Sequence, residues 1–533
     1  MKFPKVQVGQ TPIKRQVIEF KGYDAQSYVE DGKMREMKNL ASDEYPCLYQ
    51  RKQRGLFSEK YTEPTTILAS KEKLCVIDGK RFFYNEELKG YLDTDGEKQV
   101  VAINNKICVW PDKKYYDILT DTFASLENKV TSVEPVIVTE NSLTLPGVDL
   151  SGFKRLDAVS ITGFEVMTEN NTDNINRGVR VIEAVDTERN VLTFKEKSFI
   201  LNSTTAEQYE ETGTIVIARD VPDLEFVMEH NNRLYGVEGN MIHACHLGEP
   251  TIWTDTEGYS DSSYTVPVGT DGDFTGCAAY STHLLFFKEN YIHKLYGNKP
   301  SNYQLVTSSC LGLEKGSHRS VHVINDVVYY KSREGIMNYD GAQPTLMTYN
   351  FGTIRYDSAV GGTDGLRYYV SMRNKTDGLW YLFSYDIARN LWHIEDNTKV
   401  TCFAFLNPKL LFIDDDANRI YSTDCGDGDP IPADKKIEWY AVLGEYDEFI
   451  ENKKVYSEID LRMKMEENSE LLVSMSIDNG EYERLRHIYT TKKRTVSLPI
   501  VPRRCDKFKI KLEGHGYCKI ESVVRVVKEG TML

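Results

Sequence analysis

The chain lacks the paired cysteines of a metal centre or a redox site. Its ten Cys are scattered and no CxxC pair occurs among them. Most sit inside apolar, strand-like runs, as Cys75 does in LCVI and Cys108 in ICVW, where Cys serves as a small buried hydrophobe. Unpaired thiols of this kind fit synthesis in a reducing compartment. Proline is sparse at 17 residues and low-complexity tracts are absent, which excludes long disordered linkers. No apolar run approaches the ~18 residues of a membrane-spanning helix. The opening MKFPKVQVGQ lacks the apolar segment of a secretory signal. Basic residues are in deficit, 65 Lys and Arg against 80 Asp and Glu, for a net charge of −15. Coating nucleic acid needs clustered Lys and Arg, so that role is disfavoured. An acidic wall repels phosphate, which is compatible with a conduit through which DNA slides. GxSxG, P-loop, HExxH and Rossmann fingerprints are all missing. No single Asp or Glu stands out as half of a glycosidase pair. These absences assign no catalytic residue, metal or cofactor, and the chain reads as a non-enzyme.

Tyrosine is abundant, at 33 residues, and favours half-buried strands. Within Phe226–Thr348 one pattern occurs three times: RLYGVEGNMIHAC (Arg233–Cys245), LLFFKENYIHKLYG (Leu284–Gly297) and VVYYKSREGIMNYDG (Val327–Gly341). Each copy is a short apolar run, a polar turn and a second run, which predicts an antiparallel hairpin. From Leu234 the copies begin about 50 and then about 43 residues apart, the spacing of propeller blades. Leu74–Asn85 has the same form around an Asp78-Gly79 turn, and so do Ile107–Ile118, Leu366–Asp396 and Leu410–Asp424. The expected fold is all-β: a β-propeller of about six to seven blades, since stacking blades radially buries faces that one blade cannot.

The period breaks once. Ile107 to Leu234 spans about 127 residues, roughly 84 more than one blade needs. The surplus predicts an inserted small β-barrel or sandwich over 119–220, with strands in Gly152–Val166, Val179–Phe199 and Thr212–Asp220 and no helical period. The expected organisation is an N-terminal arm and lead-in (1–65), first blades (66–118), the insertion (119–220), remaining blades (221–430) and a C-terminal β-sandwich (431–533). Val6–Val8 and Val17–Phe20 are candidate edge strands. The segment before the first blade is either an arm for a neighbouring subunit or a solvated lead-in. Cys425–Asp434 is rich in turn formers and reads as a linker. From Glu451 on, 17 Lys and Arg stand against 13 Asp and Glu, so the sandwich differs in sign from the rest.

Few residues invite a chemical role. His243 and His246 fall on one predicted strand at a spacing that points them to opposite faces, against a shared metal. Asp414-Asp415-Asp416 and Gly426–Pro430 lack the ligand spacing of a calcium loop and read as solvated turns. Arg503 and Arg504, just before a strand, are candidate subunit contacts that can grip a carboxylate with paired hydrogen bonds. The competing reading is an ion pair inside the sandwich, with Asp506 or Glu513. Trp253, Trp380 and Trp392 are either sugar-stacking platforms or blade packing.

The strings His230–Trp253, Gly269–Gly297 and Ser320–Gly341 resemble the β-propeller tail proteins of tailed bacteriophages, nearest to the nozzle, or packaged-DNA stabilisation, proteins of short-tailed phages. Pro499–Gly530 resembles the end domain of similar phage structural proteins, and Asn39–Gly55 resembles their lead-in. The resemblance implies a virion tail component assembled in the bacterial host cytoplasm. It implies a homo-oligomeric ring, six copies in the nozzle family, that meets portal or adaptor proteins, other tail proteins and tail fibres. Packaged DNA would pass through the ring without sequence-specific binding and be retained until ejection. It carries over no catalytic residues. The alternative is a tail-associated receptor- or carbohydrate-binding propeller, with or without glycan cleavage.

Overall fold

The structure is a computed structural model and describes residues 11–165, 176–195, 197–201, 205–254, 260–426, 431–434, 436–449, 451–489, 492 and 494–529. Among these residues regular structure is strand, with three short 3-10 turns and no α-helix. The chain forms two compact units. One comprises residues 1–72 and 314–533, the other residues 73–313.

The repeating hairpins are the middle strands of four-stranded antiparallel meanders. In the 73–313 unit, Gln99–Ser125, Phe226–Pro267 and Gly276–Ser309 each build one such sheet, and Lys73–Tyr91 contributes three strands of another. In the other unit, His322–Leu346 and Tyr356–Asp396 build one each, and Val400–Ser422 supplies three strands of a third. Counted with Pro64–Ser70, these are seven blade sheets, and the chain is a β-propeller with an insertion and a terminal sandwich. Each expected repeat start, from Leu74 to Leu410, lies in or directly beside the second strand of its own sheet. The physical reason is two-sided burial. Second strands such as Leu284–Phe287 are buried at every position, so they read as continuous apolar runs. Outer strands such as Gln304–Ser309 stay largely exposed and leave no such trace.

Two-residue turns set the blade registers. Asn231-Asn232 and Asn325-Asp326 both hold positive φ between directly paired strand ends, the geometry that Asn and Asp tolerate. The turn expected at Asp78-Gly79 is shifted by one residue. Asp78 pairs with Arg81 across the ladder, leaving Gly79-Lys80 at the centre, and an Asp78–Arg81 ion pair of 2.6 Å closes the hairpin.

The insertion runs from Asn128 to Arg219, eight strands in one continuous path. Its start moves from the expected 119 to 128 because Thr122–Ser125 completes the preceding blade. Gly178–Asp186 pairs with Ala158–Thr162 by its first half and with Val191–Phe194 by its second, bending at a register shift between Ile182 and Ala184. The bend folds the path over one core that includes Val138, Leu143, Ile161, Ile182, Phe194 and Ile217.

The expected edge strand Val6–Val8 lies outside the described residues. The N-terminal segment departs most from expectation, because its described part is built into its own chain. Ile13–Val17 pairs with Val523–Val527, and Met34–Lys38 pairs with Tyr440–Leu443, so the segment adds an edge strand to each of the two C-terminal sheets. Gly55–Ser58 then pairs with Ile420–Ser422 and completes the last blade as its fourth strand. The expected linker is strapped down as well, with Ile431-Pro432 paired to Gly55-Leu56. The sandwich is therefore made from both chain ends. Its core, with Trp439, Ile459 and Phe508, continues without a gap through Tyr23 and Phe351 to Phe383 and Trp392 of the neighbouring blade. Gly22 permits that continuity. It has φ of +75°, and a Cβ there would sit 2.5 Å from the Trp392 carbonyl oxygen.

If the N-terminal strands are structural, Met37→Ala, in a side chain 2% exposed on Met34–Lys38, lowers stability by about 2–4 kcal/mol. Ile13→Ala, at a half-exposed edge position, changes it by no more than ~0.5 kcal/mol. Urea unfolding followed by tryptophan fluorescence measures both, and equal, negligible effects would refute the assignment.

Candidate functional site

The basic cluster Arg51-Lys52-Gln53-Arg54 lies between the strand pair Leu40-Ala41/Tyr49-Gln50 and the blade-completing strand Gly55–Ser58. This places its two arginines against three carboxylates. Arg54 donates from Nη2 to Glu395 at 2.8 Å and from Nη1 to Asp396 at 2.7 Å and Thr398 at 3.0 Å. Its guanidinium also lies 5.2 Å from the centre of the Phe412 ring. Arg51 donates to Asp434 at 2.8 Å and to the Asn39 side chain at 2.8 Å. Both arginines are buried. Burial alone would push the Asp396 carboxyl up, but the charge of Arg54 beside it reverses this and holds it at about 2. Asp434 is held below the usual carboxylate range in the same way by Arg51, against its own burial.

A cleft of about 420 Å³ opens beside this network, lined by Arg51, Lys52, Asp43, Arg367, Glu395 and Asp424 among others. Its charges are matched inside the chain: Arg367 meets Asp43 at 3.1 Å and Lys52 meets Asp424 at 2.6 Å. The arrangement fixes the N-terminal segment onto the last two blades. Guanidinium groups held by carboxylates at fixed geometry tie together the segments that carry them.

At the sandwich, Arg503 is engaged within its own sheet system. Its Nη1 donates to Glu483 Oε1 at 2.7 Å and its Nη2 bonds the second oxygen of the same carboxylate. The partner is Glu483, not Asp506 or Glu513, because Cys505 turns into the core and Asp506 belongs to the next bend, where its backbone N–H donates to Asp478. Arg504 is exposed on the two-residue strand Arg504-Cys505. Sequence reasoning did not single out Arg525. It is 1% exposed on its side chain, donates to Glu448 at 2.9 Å and to Asp31 at 3.1 Å, and lies 3.4 Å over the Tyr446 ring. A lone Arg within the apolar run ESVVRVV was the available signal.

The remaining candidates are dispersed. His243 lies on Met241–Ala244, its ring nitrogen bonded to Thr265 at 3.0 Å, and burial pushes its pKa down. His246 falls beyond the end of that strand, 3.8 Å from Asp261. Asp414 caps its turn by accepting from the backbone of Asp416 and Ala417, and Asp415 pairs with Lys399 at 2.7 Å. Of Gly426–Pro430, all but Gly426 lie outside the described residues. Trp253 and Trp392 are buried, at 3% and 2% exposure, while Trp380 keeps a partly exposed ring with Lys399 5.4 Å from its centre. Burial pushes the Cys277 thiol up to about 12 and Cys75 and Cys108 higher still, which keeps them protonated. No group of three or more potential metal ligands occurs among the described residues.

No protein-family model and no curated relative matches the chain. Among solved structures it is similar to the exo-β-1,3-galactanase of Phanerochaete chrysosporium, at 9% identity over 57% of this chain and 95% of that one, with a TM-score of 0.23. It is also similar to Kluyveromyces lactis Hsv2, at 8% identity over 63% and 98%, with a TM-score of 0.27. A third likeness is to a Bacillus thuringiensis Cry1Da tryptic core variant, at 8% identity over 57% and 50%, with a TM-score of 0.15. The propeller assignment rests on the chain's own blade sheets.

Arg54→Ala leaves Glu395 without the cation it pairs with and Asp396 with only Arg51, 3.8 Å away, an expected loss of about 3–5 kcal/mol at pH 7. The folded pKa of Asp396 is depressed, so the stability it contributes is present above its unfolded value of about 3.9 and drains as pH falls towards about 2. The deficit of Arg54→Ala relative to the parent therefore narrows between about pH 5 and pH 2. Urea midpoints measured across that range test it, and a deficit that stays constant or widens counts against the clamp.

Proposed function

We propose that the chain is a structural, ring-forming component of a short-tailed phage tail, of the nozzle or hub kind. It takes part in genome retention and ejection and performs no catalysis. The observation that carries the reading is the fused core. Both chain ends build one sandwich, and that sandwich shares its apolar interior with a propeller blade. A wall segment under pressure needs this rigidity, since a domain hung on a free linker swings. The resemblance of His230–Trp253, Gly269–Gly297, Ser320–Gly341 and Pro499–Gly530 to nozzle proteins supplies the context of six copies, portal or adaptor neighbours, tail fibres and a DNA channel in the virion tail. The net charge of −15 suits a surface past which DNA slides.

The alternative, a receptor- or carbohydrate-binding tail propeller, keeps one supporting feature, the partly exposed ring of Trp380. Buried Trp253 and Trp392 present no stacking face.

Native mass measurement and negative-stain imaging of the purified chain, alone and with portal–adaptor rings, separate the two. The expected result is a closed ring, six copies in the nozzle reading, and no signal on a glycan array. A chain that stays monomeric at micromolar concentration, ignores portal–adaptor rings and binds glycans through Trp380 overturns the proposal.

A further inference from the structure

The sandwich presents two unlike surfaces. Glu483–Tyr489 ends one sheet and Thr495–Pro499 ends the other, each pairing with one neighbour. This edge carries exposed Arg484, Arg486 and Arg504 together with exposed Tyr489 and Val501. Arginine and tyrosine around an apolar centre are the composition of a protein contact. An open strand edge studded with cations also repels indiscriminate pairing, so its partner must be acidic.

Such a surface exists three strand spacings away across the sheet, roughly 14 Å at ~4.8 Å per step, beyond the strand Ile13–Val17. A cavity of about 190 Å³ there is lined by Glu30, Asp31, Glu445, Asp447 and Glu448 with Arg15. Lys507, Lys509 and Arg35 hold Glu445, and Arg525 holds Glu448 and Asp31. Glu30, 3.8 Å from Lys21, and Asp447 are therefore the carboxylates it offers to a partner. Its rim is an aromatic pair, Tyr28 and Phe449, with ring centres 5.7 Å apart. Phe449 is 82% exposed, and it and Glu448 both hold positive φ. The turn buries Glu448 against Arg525 and leaves the Phe449 ring outside. A non-glycine pair held left-handed with an apolar ring in water is a local cost that a partner would offset. Aromatic faces beside carboxylates suit a guanidinium.

We propose that the basic edge of one copy docks onto the acidic, aromatic surface of a second copy of this chain. The contact is head-to-tail, the heterologous kind that a closed ring requires, and the inference rests on the ring reading above.

The test uses the full-length chain and mass photometry. Arg484→Glu with Arg486→Glu damages the edge. Glu30→Lys with Asp447→Lys damages the acidic surface, and Phe449→Ala, at a solvent-exposed position, is a second surface variant that leaves folding intact. Each is expected to weaken association by about tenfold or more and to leave monomers where the parent forms rings. An equimolar mixture of the edge variant and a surface variant should give heterodimers that grow no further, because one intact half-interface survives on each chain. Rings that persist in all variants overturn the docking while leaving the ring reading in place. A parent chain that never assembles overturns both.

Discussion

Residues 13–58 must find partners near the far end of the chain before half of the molecule can close. Ile13 aligns with Val527, Met34 with Leu443 and Tyr421 with Leu56. Three separate structures depend on these pairings: both sandwich sheets and the last blade. Closing so long a loop is thermodynamically tolerable, since each doubling of length costs only about 0.6 kcal/mol. Its effect falls on rate. Contacts at this sequence separation slow folding, because loop-closure entropy is lost before they form. Until then the blade Val400–Ser422 lacks its fourth strand and the sandwich exposes two edges, the species most exposed to mispairing.

The buried arginines answer the question of register that such distant pairing raises. Edge strands of alternating apolar residues can slip by two positions and still bury side chains. Arg51 and Arg54 cannot, because each reaches its carboxylates from one alignment only. Replacing a buried ion pair by apolar residues is often neutral or stabilising, so stability alone does not account for them. Their value here is that a slipped N-terminal strand leaves buried Glu395 and part-buried Asp396 and Asp434 without these counter-charges. Gly22 acts in the same sense, since only a residue without Cβ lets the chain pass against Trp392.

What was legible in the sequence follows from the range of the interactions. The middle hairpin of every blade was visible because its second strand, as in Leu284–Phe287, reads as an apolar run, and some of these hairpins close through two-residue turns, as between Asp78 and Arg81 and between Glu238 and Met241, both local properties. The insertion was visible as a break in that spacing, although strands such as Asn128–Thr131 and Gln208–Glu211, short and half-exposed, carried no run to find. The N-terminal strands were not legible as part of the sandwich. MREMK has no marked β pattern, and its burial arises from distant partners, Tyr440–Leu443 beside it and the blade strand Leu391–Asp396 against it. The basic cluster at Arg51–Arg54 was noticed, but its meaning lay in Glu395, Asp396 and Asp434, more than 340 residues away. Arg503 was singled out as a candidate subunit contact, and the carboxylate it holds is its own chain's Glu483, which lies across a fold that the local string does not specify.

The same topology explains why the two ends of the sandwich differ in charge. The C-terminal stretch is basic by itself, with 17 cations against 13 anions from Glu451 on. Part of that surplus meets acids brought by the N-terminal segment: Arg525 meets Asp31 and Lys519 meets Glu44. Those acids arrive only where the segment docks, beside Val523–Val527 and Tyr440–Leu443. The opposite edge, Glu483–Tyr489 with Thr495–Pro499, receives no such strand, so Arg484, Arg486 and Arg504 stay exposed. The N-terminal segment brings cations to its side too, Arg15 and Arg35 among them, so the acids at the rim there are Glu30 from the segment and Asp447 from the end of Glu438–Tyr446. The position of the N-terminal strands thus decides which edge of the sandwich keeps unpaired arginines.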